Sequence, residues 1–140
     1  MTLAERLRVV LADTFLMYVH AHIAHWNVEG PDFHENHQFL NDLYDELWEA
    51  VDTIAEHIRV LGVAAPTTLA SLVEDGTIHD GDPGRNWEQI RQQLYGENLN
   101  VINSLNAAFE VANDDQGIAN FIADRLDKHA KWGWMLRASR

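Results

Sequence analysis

The stretch His25-Trp26-Asn27-Val28-Glu29-Gly30-Pro31-Asp32-Phe33-His34-Glu35-Asn36-His37, with the chain that runs on from it to Leu61, decides the fold. Gly30-Pro31 breaks the chain, and apolar residues recur at helical spacing on either side of the break. His25 and His37 lie at similar distances before and after it, so antiparallel helices place them at matching heights. Asp52 and Glu56 follow on the second helix, one turn apart and therefore on one face. Two imidazoles and two carboxylates form a ligand set for a divalent first-row metal such as iron. A helix rises about 1.5 Å per residue, which sets His37 roughly 22 Å from Asp52. Ligands of one ion stand about 2 Å from it. The histidine half and the carboxylate half therefore cannot meet within one chain, but they can meet across a two-fold axis.

Working outward, Thr2-Leu3-Ala4-Glu5 has the form of a capping box, and Leu3, Leu7, Val10, Leu11, Phe15 and Tyr18 carry a helix on to about Asn27. Asp32 is placed to cap the second helix, with Glu35 three residues on. That helix shows an apolar stripe of Phe33, Leu40, Tyr44, Leu47, Val51, Ile54, Ile58 and Leu61. Beside it runs a second stripe of His37, Asn41, Asp45, Trp48, Asp52 and Glu56. Gly62 reads as its stop. A linker follows, with room for a short helix over Leu69–Val73, then a loop from Asp75-Gly76 to Asp82-Pro83-Gly84. Asn86 caps a third long helix with Trp87, Ile90, Leu94, Leu99, Ile102, Leu105 and Phe109 as its apolar positions, ending at Asn113-Asp114-Asp115. The fourth runs from about Gln116 to Ala138. No alternating strand pattern occurs. The long link between the second and third long helices lets them run parallel, so the expected fold is all-α: one domain over residues 1–140, a four-helix bundle with one crossover.

Composition agrees. A chain of 140 residues with 46% hydrophobic content suffices for a single packed core. With no cysteine there is no disulfide, no thiolate metal site and no cysteine nucleophile. No secretion signal opens the chain and no uninterrupted apolar run reaches a membrane-spanning length, so a cytoplasmic location away from membranes is expected. The formal charge of −12 repels phosphate backbones and attracts cations.

Eight histidines are a surplus, and His20, His22, His25, His34 and His37 crowd around one hairpin. Asp52 and Glu56 have the ordinary alternative of a solvated acidic face, which His37 and Trp48 on the same stripe weaken. Other metal and catalytic patterns fail. No Glu-x-x-His of the in-bundle di-iron kind occurs, and His34-Glu35-Asn36-His37 is one residue short of His-Glu-x-x-His. No phosphate loop and no Gly-x-Ser-x-Gly elbow is present. An inter-subunit site remains.

His25-Trp26-x-Val28-x-Gly30-x-x-Phe33-x-x-x-His37, then Tyr44, then Asp52-x-Ile54-Ala55-Glu56, resembles the signature of the Dps (DNA-protection-during-starvation) miniferritins. The ending from His129 through Trp134-Met135-Leu136-Arg137-Ala138 resembles that family's last helix. The resemblance implies a ferritin-like bundle assembled as a hollow dodecamer with tetrahedral symmetry. It implies ferroxidase centres at the two-fold interfaces, with His25 and His37 from one subunit and Asp52 and Glu56 from its partner. Fe(II) would be oxidised there by hydrogen peroxide, or more slowly by oxygen, and stored as Fe(III) mineral in the cavity. Trp26 and Trp48 would intercept stray oxidising equivalents, with interface packing as the equal alternative. Near the start of the last helix, Asp115, Asp124 and Asp127 are candidates for lining an iron-entry pore, or else complement the helix dipole.

Three departures from the family pattern stand out. Asn41 occupies the place where many members carry an acid, and a neutral amide weakens a second metal position. His57 stands where arginine is usual. The lysine-rich arm that lets some members condense DNA is missing, so DNA binding is not expected. Two rival readings stay open: a shell that coats DNA, and a structural cage with a degenerate site.

Overall fold

The computed structural model describes every residue from Met1 to Arg140. Five helices make it up: α1 (Leu3–Asn27), α2 (Phe33–Val60), α3 (Leu69–Val73), α4 (Trp87–Glu110) and α5 (Gln116–Ala138). The only β feature is an isolated bridge between Glu29 and Asn86.

Local chemistry sets the boundaries. At the start of α1, the Thr2 side chain accepts from the Glu5 amide while the Glu5 carboxylate accepts from the Thr2 amide, a complete capping box. Asn86 caps α4 by accepting from the Gln89 amide, and Asp115 caps α5 by accepting from the Ile118 amide. Asp32 is the exception. Its side chain makes no capping bond, although it occupies the cap position of α2. Gly62 follows the end of α2 at a φ of +82°, where a side chain would be strained.

Long-range pairs give the topology. His25 meets His37 and Tyr18 meets Tyr44, so α1 and α2 are antiparallel. His20 pairs with Glu97 and Asp13 with Ser104, so α4 is antiparallel to α1. Asn98 pairs with His129 and Arg91 with the Leu136 carbonyl, which turns α5 back along α4. Helices α2 and α4 therefore run the same way, and the segment from Leu61 to Asn86, carrying α3, makes the crossover. This is the expected four-helix bundle. The core contains Leu7, Leu11 and Met17 of α1, Leu40, Leu43, Leu47, Ile54 and Ile58 of α2, and Ile90, Leu94, Leu105 and Ile118 of α4 and α5, all essentially sealed from solvent. By length and composition α1 alone is apolar enough to cross a membrane, a point the absence of one unbroken apolar run had hidden. Leu7, Val10, Leu11, Met17, Ala21 and Ala24 of this helix lie inside the bundle, while Ile23 and Trp26 are exposed.

Three expected core positions are exposed instead. Phe33 is 44% accessible and stacks on His37, with ring centroids 5.0 Å apart. Leu99 and Phe109 of α4 are 45% and 44% accessible. Val101 and Ala108 of α4 are buried instead, on a helix whose Glu97 and Ser104 reach His20 and Asp13 of α1 and whose Asn98 reaches His129 of α5.

Candidate metal centre

The α1–α2 hairpin brings His25 and His37 together. Their rings stack at 3.7 Å between centroids, 15° from parallel. Each Nδ1 sits at hydrogen-bond distance from the main-chain oxygen of the other residue, 2.8 Å from His25 to His37 and 2.7 Å in return. A carbonyl oxygen only accepts, so each Nδ1 carries the proton and donates. In the neutral ring each Nε2 then keeps its lone pair. This is the arrangement that orients a metal-binding imidazole: one nitrogen tied to a carbonyl, the other free to ligate. Both rings are half-buried.

Along the same face lies an aromatic cluster. His22 stacks on Tyr44 at 3.8 Å and 7°, and its Nδ1 is 3.0 Å from the Tyr18 hydroxyl. Trp48 lies 5.1 Å from Tyr18, and Trp26 lies 4.9 Å from His22. Both indoles are exposed, at 57% and 66%. The two indoles add exposed apolar surface to the face that carries the histidines.

Asp52 and Glu56 stand exposed further along α2. Within a single chain no three histidine, aspartate or glutamate side chains converge on a point that would hold a metal. One chain thus brings together the two imidazoles and leaves the two carboxylates apart from them.

The departures have structural counterparts. The Asn41 amide is committed at both ends: its oxygen accepts from the Tyr44 hydroxyl at 2.9 Å and its nitrogen donates to Asp45 at 3.1 Å. His57 packs against Phe121 with centroids 4.6 Å apart, and its Nδ1 is buried without a partner in the chain. Asp115 serves as the α5 cap, Asp127 pairs with Lys131 at 3.3 Å, and Asp124 is exposed.

Three polar networks escaped the sequence reading. Asp13, fully buried, accepts from the Thr77 amide at 2.6 Å, the Thr77 hydroxyl at 2.8 Å, the Ile78 amide at 3.2 Å and the Ser104 hydroxyl. His20 is held between two carboxylates, Nδ1 2.7 Å from Glu97 and Nε2 3.1 Å from Asp80. Its hydrogen bond to Glu97 holds the imidazole pKa above its usual value, against the effect of burial. Arg125 grips Glu46, which also accepts from the Trp132 indole at 2.8 Å. Arg125 also donates to His129 Nε2 at 2.9 Å, so His129 is the neutral tautomer that donates from Nδ1 to Asn98. Burial, and then the Arg125 charge, push the His129 pKa down to about 3. Each network joins residues distant in sequence, so no local spacing announces it.

Comparison with known proteins agrees with the architecture. A family model described as a ferritin-like domain matches residues 4–139. The DNA protection during starvation protein of Brevibacillus brevis is 31% identical over 133 residues, covering 91% of this chain and 87% of that protein. The crystal structure of a Dps protein from Bacillus brevis superimposes with a TM-score of 0.91 at 29% identity, covering 97% of this chain and 93% of that one. A Dps protein from Vibrio cholerae, described as a member of a broad superfamily of ferritin-like diiron-carboxylate proteins, gives a TM-score of 0.92 at 24% identity, covering 97% and 87%. With the crossover bundle, the paired hairpin histidines and a relative alike over nearly the whole chain, this protein belongs to the ferritin-like family as one of its Dps miniferritins.

Proposed function

We propose that this protein is a ferroxidase and iron store whose centres form between subunits. Fe(II) is the substrate, held by His25 and His37 of one subunit and by Asp52 and Glu56 of its two-fold partner. The observation that carries this is the pair of Nδ1–carbonyl bonds, which leaves both Nε2 lone pairs available at the edge of an exposed aromatic face. The carboxylates supply hard oxygen ligands that favour the more highly charged Fe(III) product. Hydrogen peroxide takes one electron from each of two Fe(II) ions and leaves as water, and oxygen serves more slowly. The Fe(III) product collects as mineral inside a dodecameric shell in the cytoplasm.

Family membership and the cation-attracting charge of −12 support an iron role. The same charge weighs against the DNA-coating reading. Asn41 is the best support for a cage with a degenerate site, because its amide is already engaged by Tyr44 and Asp45. One experiment decides: Fe(II) and peroxide are added to purified protein, and the iron retained in a shell-sized particle is followed. Retained Fe(III) supports the ferroxidase; intact shells that neither oxidise nor retain iron support the cage.

A further inference from the structure

We propose that residues 79–84 form a strap along the cavity between α1 and α4, and that His20 latches it as an imidazolium and releases it as a neutral ring.

The strap is pinned at both ends and nearly free between them. At one end Asp13 accepts from the Thr77 and Ile78 amides. At the other the Glu29 amide donates to the Arg85 main-chain oxygen at 2.9 Å. No hydrogen bond between main-chain atoms reaches residues 79–84. Two side-chain ties hold them to helices. Asp80 lies 3.1 Å from His20 Nε2, and the Gln93 amide makes a long bond of 3.3 Å to the Gly81 oxygen. The stretch from Asp80 to Gly84 forms one wall of a cavity of about 670 Å³, which Ile23 and Ala24 of α1 and Ile90 and Leu94 of α4 also line.

Proton count operates the latch. Both His20 nitrogens face carboxylate oxygens, Nδ1 toward Glu97 at 2.7 Å and Nε2 toward Asp80 at 3.1 Å. A carboxylate only accepts, so both contacts are hydrogen bonds only when the ring carries two protons. The charges acting on it are Glu97 from α4 and Asp80 from the strap, and both favour the imidazolium. Asp82 and Arg85 line the same cavity without bonding to the ring, and Arg85 lies toward Glu29 at 3.7 Å.

A neutral ring keeps one proton, for which the two carboxylates compete unequally. The Glu97 side chain is 8% exposed and that of Asp80 is 93% exposed. Without its imidazole donor the buried Glu97 is left with Gln93 alone, whereas water replaces the donor on Asp80. The proton therefore stays on Nδ1. The Nε2 lone pair then faces the Asp80 oxygen, acceptor against acceptor, and Asp80 is let go with the strap. The bond to Glu97 raises the His20 pKa, so release falls above the ordinary histidine value of about 6.5.

The chain has no cysteine, so a single cysteine introduced by Gly81→Cys takes a nitroxide label alone. A Cβ at that position meets nothing within 4 Å. The paramagnetic resonance line shape of the labelled protein is followed as pH rises. Its mobile fraction is expected to grow several-fold in one titration above the ordinary histidine value. Adding His20→Gln removes that response. Adding Asp80→Ala gives a mobile label at every pH. Adding Asp80→Asn gives a held label at every pH, because an amide accepts from the imidazolium and donates to the neutral ring. Adding His79→Gln leaves the response intact, which separates the latch from the strap's own histidine. The proposal is overturned by a line shape indifferent to pH in the parent, or by a label still held at low pH after Asp80→Ala. A response that survives His20→Gln or Asp80→Asn, or that vanishes with His79→Gln, overturns it equally.

Discussion

His25 and His37 orient each other with the same bond made twice, each Nδ1 donating to the other's main-chain oxygen. Replacing either ring removes one proposed ligand and the stacking partner of the other, which keeps its bond to the main-chain oxygen. His37→Ala deletes a proposed ligand outright and is expected to slow Fe(II) oxidation by more than the roughly 10–100-fold typical of losing only a group that orients a ligand. Stopped-flow absorbance measures the rate, and size-exclusion chromatography shows whether the shell is retained, as expected. A wild-type rate in His37→Ala removes the site assignment.

Asn41→Asp is expected to strengthen the second metal position and raise the Fe(II) bound per centre, read by anaerobic titration calorimetry. It places a carboxylate beside Asp45, which now accepts from the amide at 3.1 Å. Like charges one turn apart cost about 0.5 kcal/mol. Iron-free Asn41→Asp should accordingly melt slightly lower than wild type and gain more from added metal.

Two buried histidines tune stability in opposite directions. His20 has a raised pKa, so its contribution is complete below its unfolded pKa and is lost as pH rises through the folded one. His129 has its pKa lowered to about 3, so its contribution is present above the unfolded value and is lost as pH falls toward about 3. Unfolding midpoints measured against pH should show an alkaline decline that His20→Gln removes. They should also show an acid decline that His129→Gln reduces. His20→Gln also removes the close His20–Glu97 contact, leaving Gln93 as the donor to that buried carboxylate, so a lower unfolding midpoint than wild type is expected.

Asp13 fastens the crossover to the bundle through bonds to Thr77, Ile78 and Ser104. Asp13→Ala strands buried donors on two segments and should destabilise the fold by roughly 3 kcal/mol or more. Hydrogen exchange at the Thr77 and Ile78 amides should accelerate before the rest of the chain. Unchanged protection there would show that the crossover is held by other contacts.

The helices were legible because their signals are local. The Thr2 capping box, the Gly30-Pro31 break, the Gly62 stop and the short Leu69–Val73 helix all depend on neighbours within a few residues. The level pairing of His25 with His37 was equally accessible, since a hairpin fixes heights on its two arms. Exposure was harder to read. Phe33, Leu99 and Phe109 fit an apolar stripe in sequence yet point outward, since periodicity does not say which of two neighbouring stripes faces the core. The pairings of Asp13 with Thr77, His20 with Asp80 and Arg125 with Glu46 were invisible, because each spans more than fifty residues.

The central claim is that each centre draws its histidines and its carboxylates from different subunits. It is tested by mixing two inactive variants, His37→Ala and Asp52→Ala, after dissociation and reassembling them together. A mixed pair joined by a two-fold axis has one centre with both residues intact and one with neither. Random mixing should therefore restore roughly one quarter of wild-type ferroxidase activity per subunit. Shells that reassemble yet stay as inactive as either parent would contradict the account.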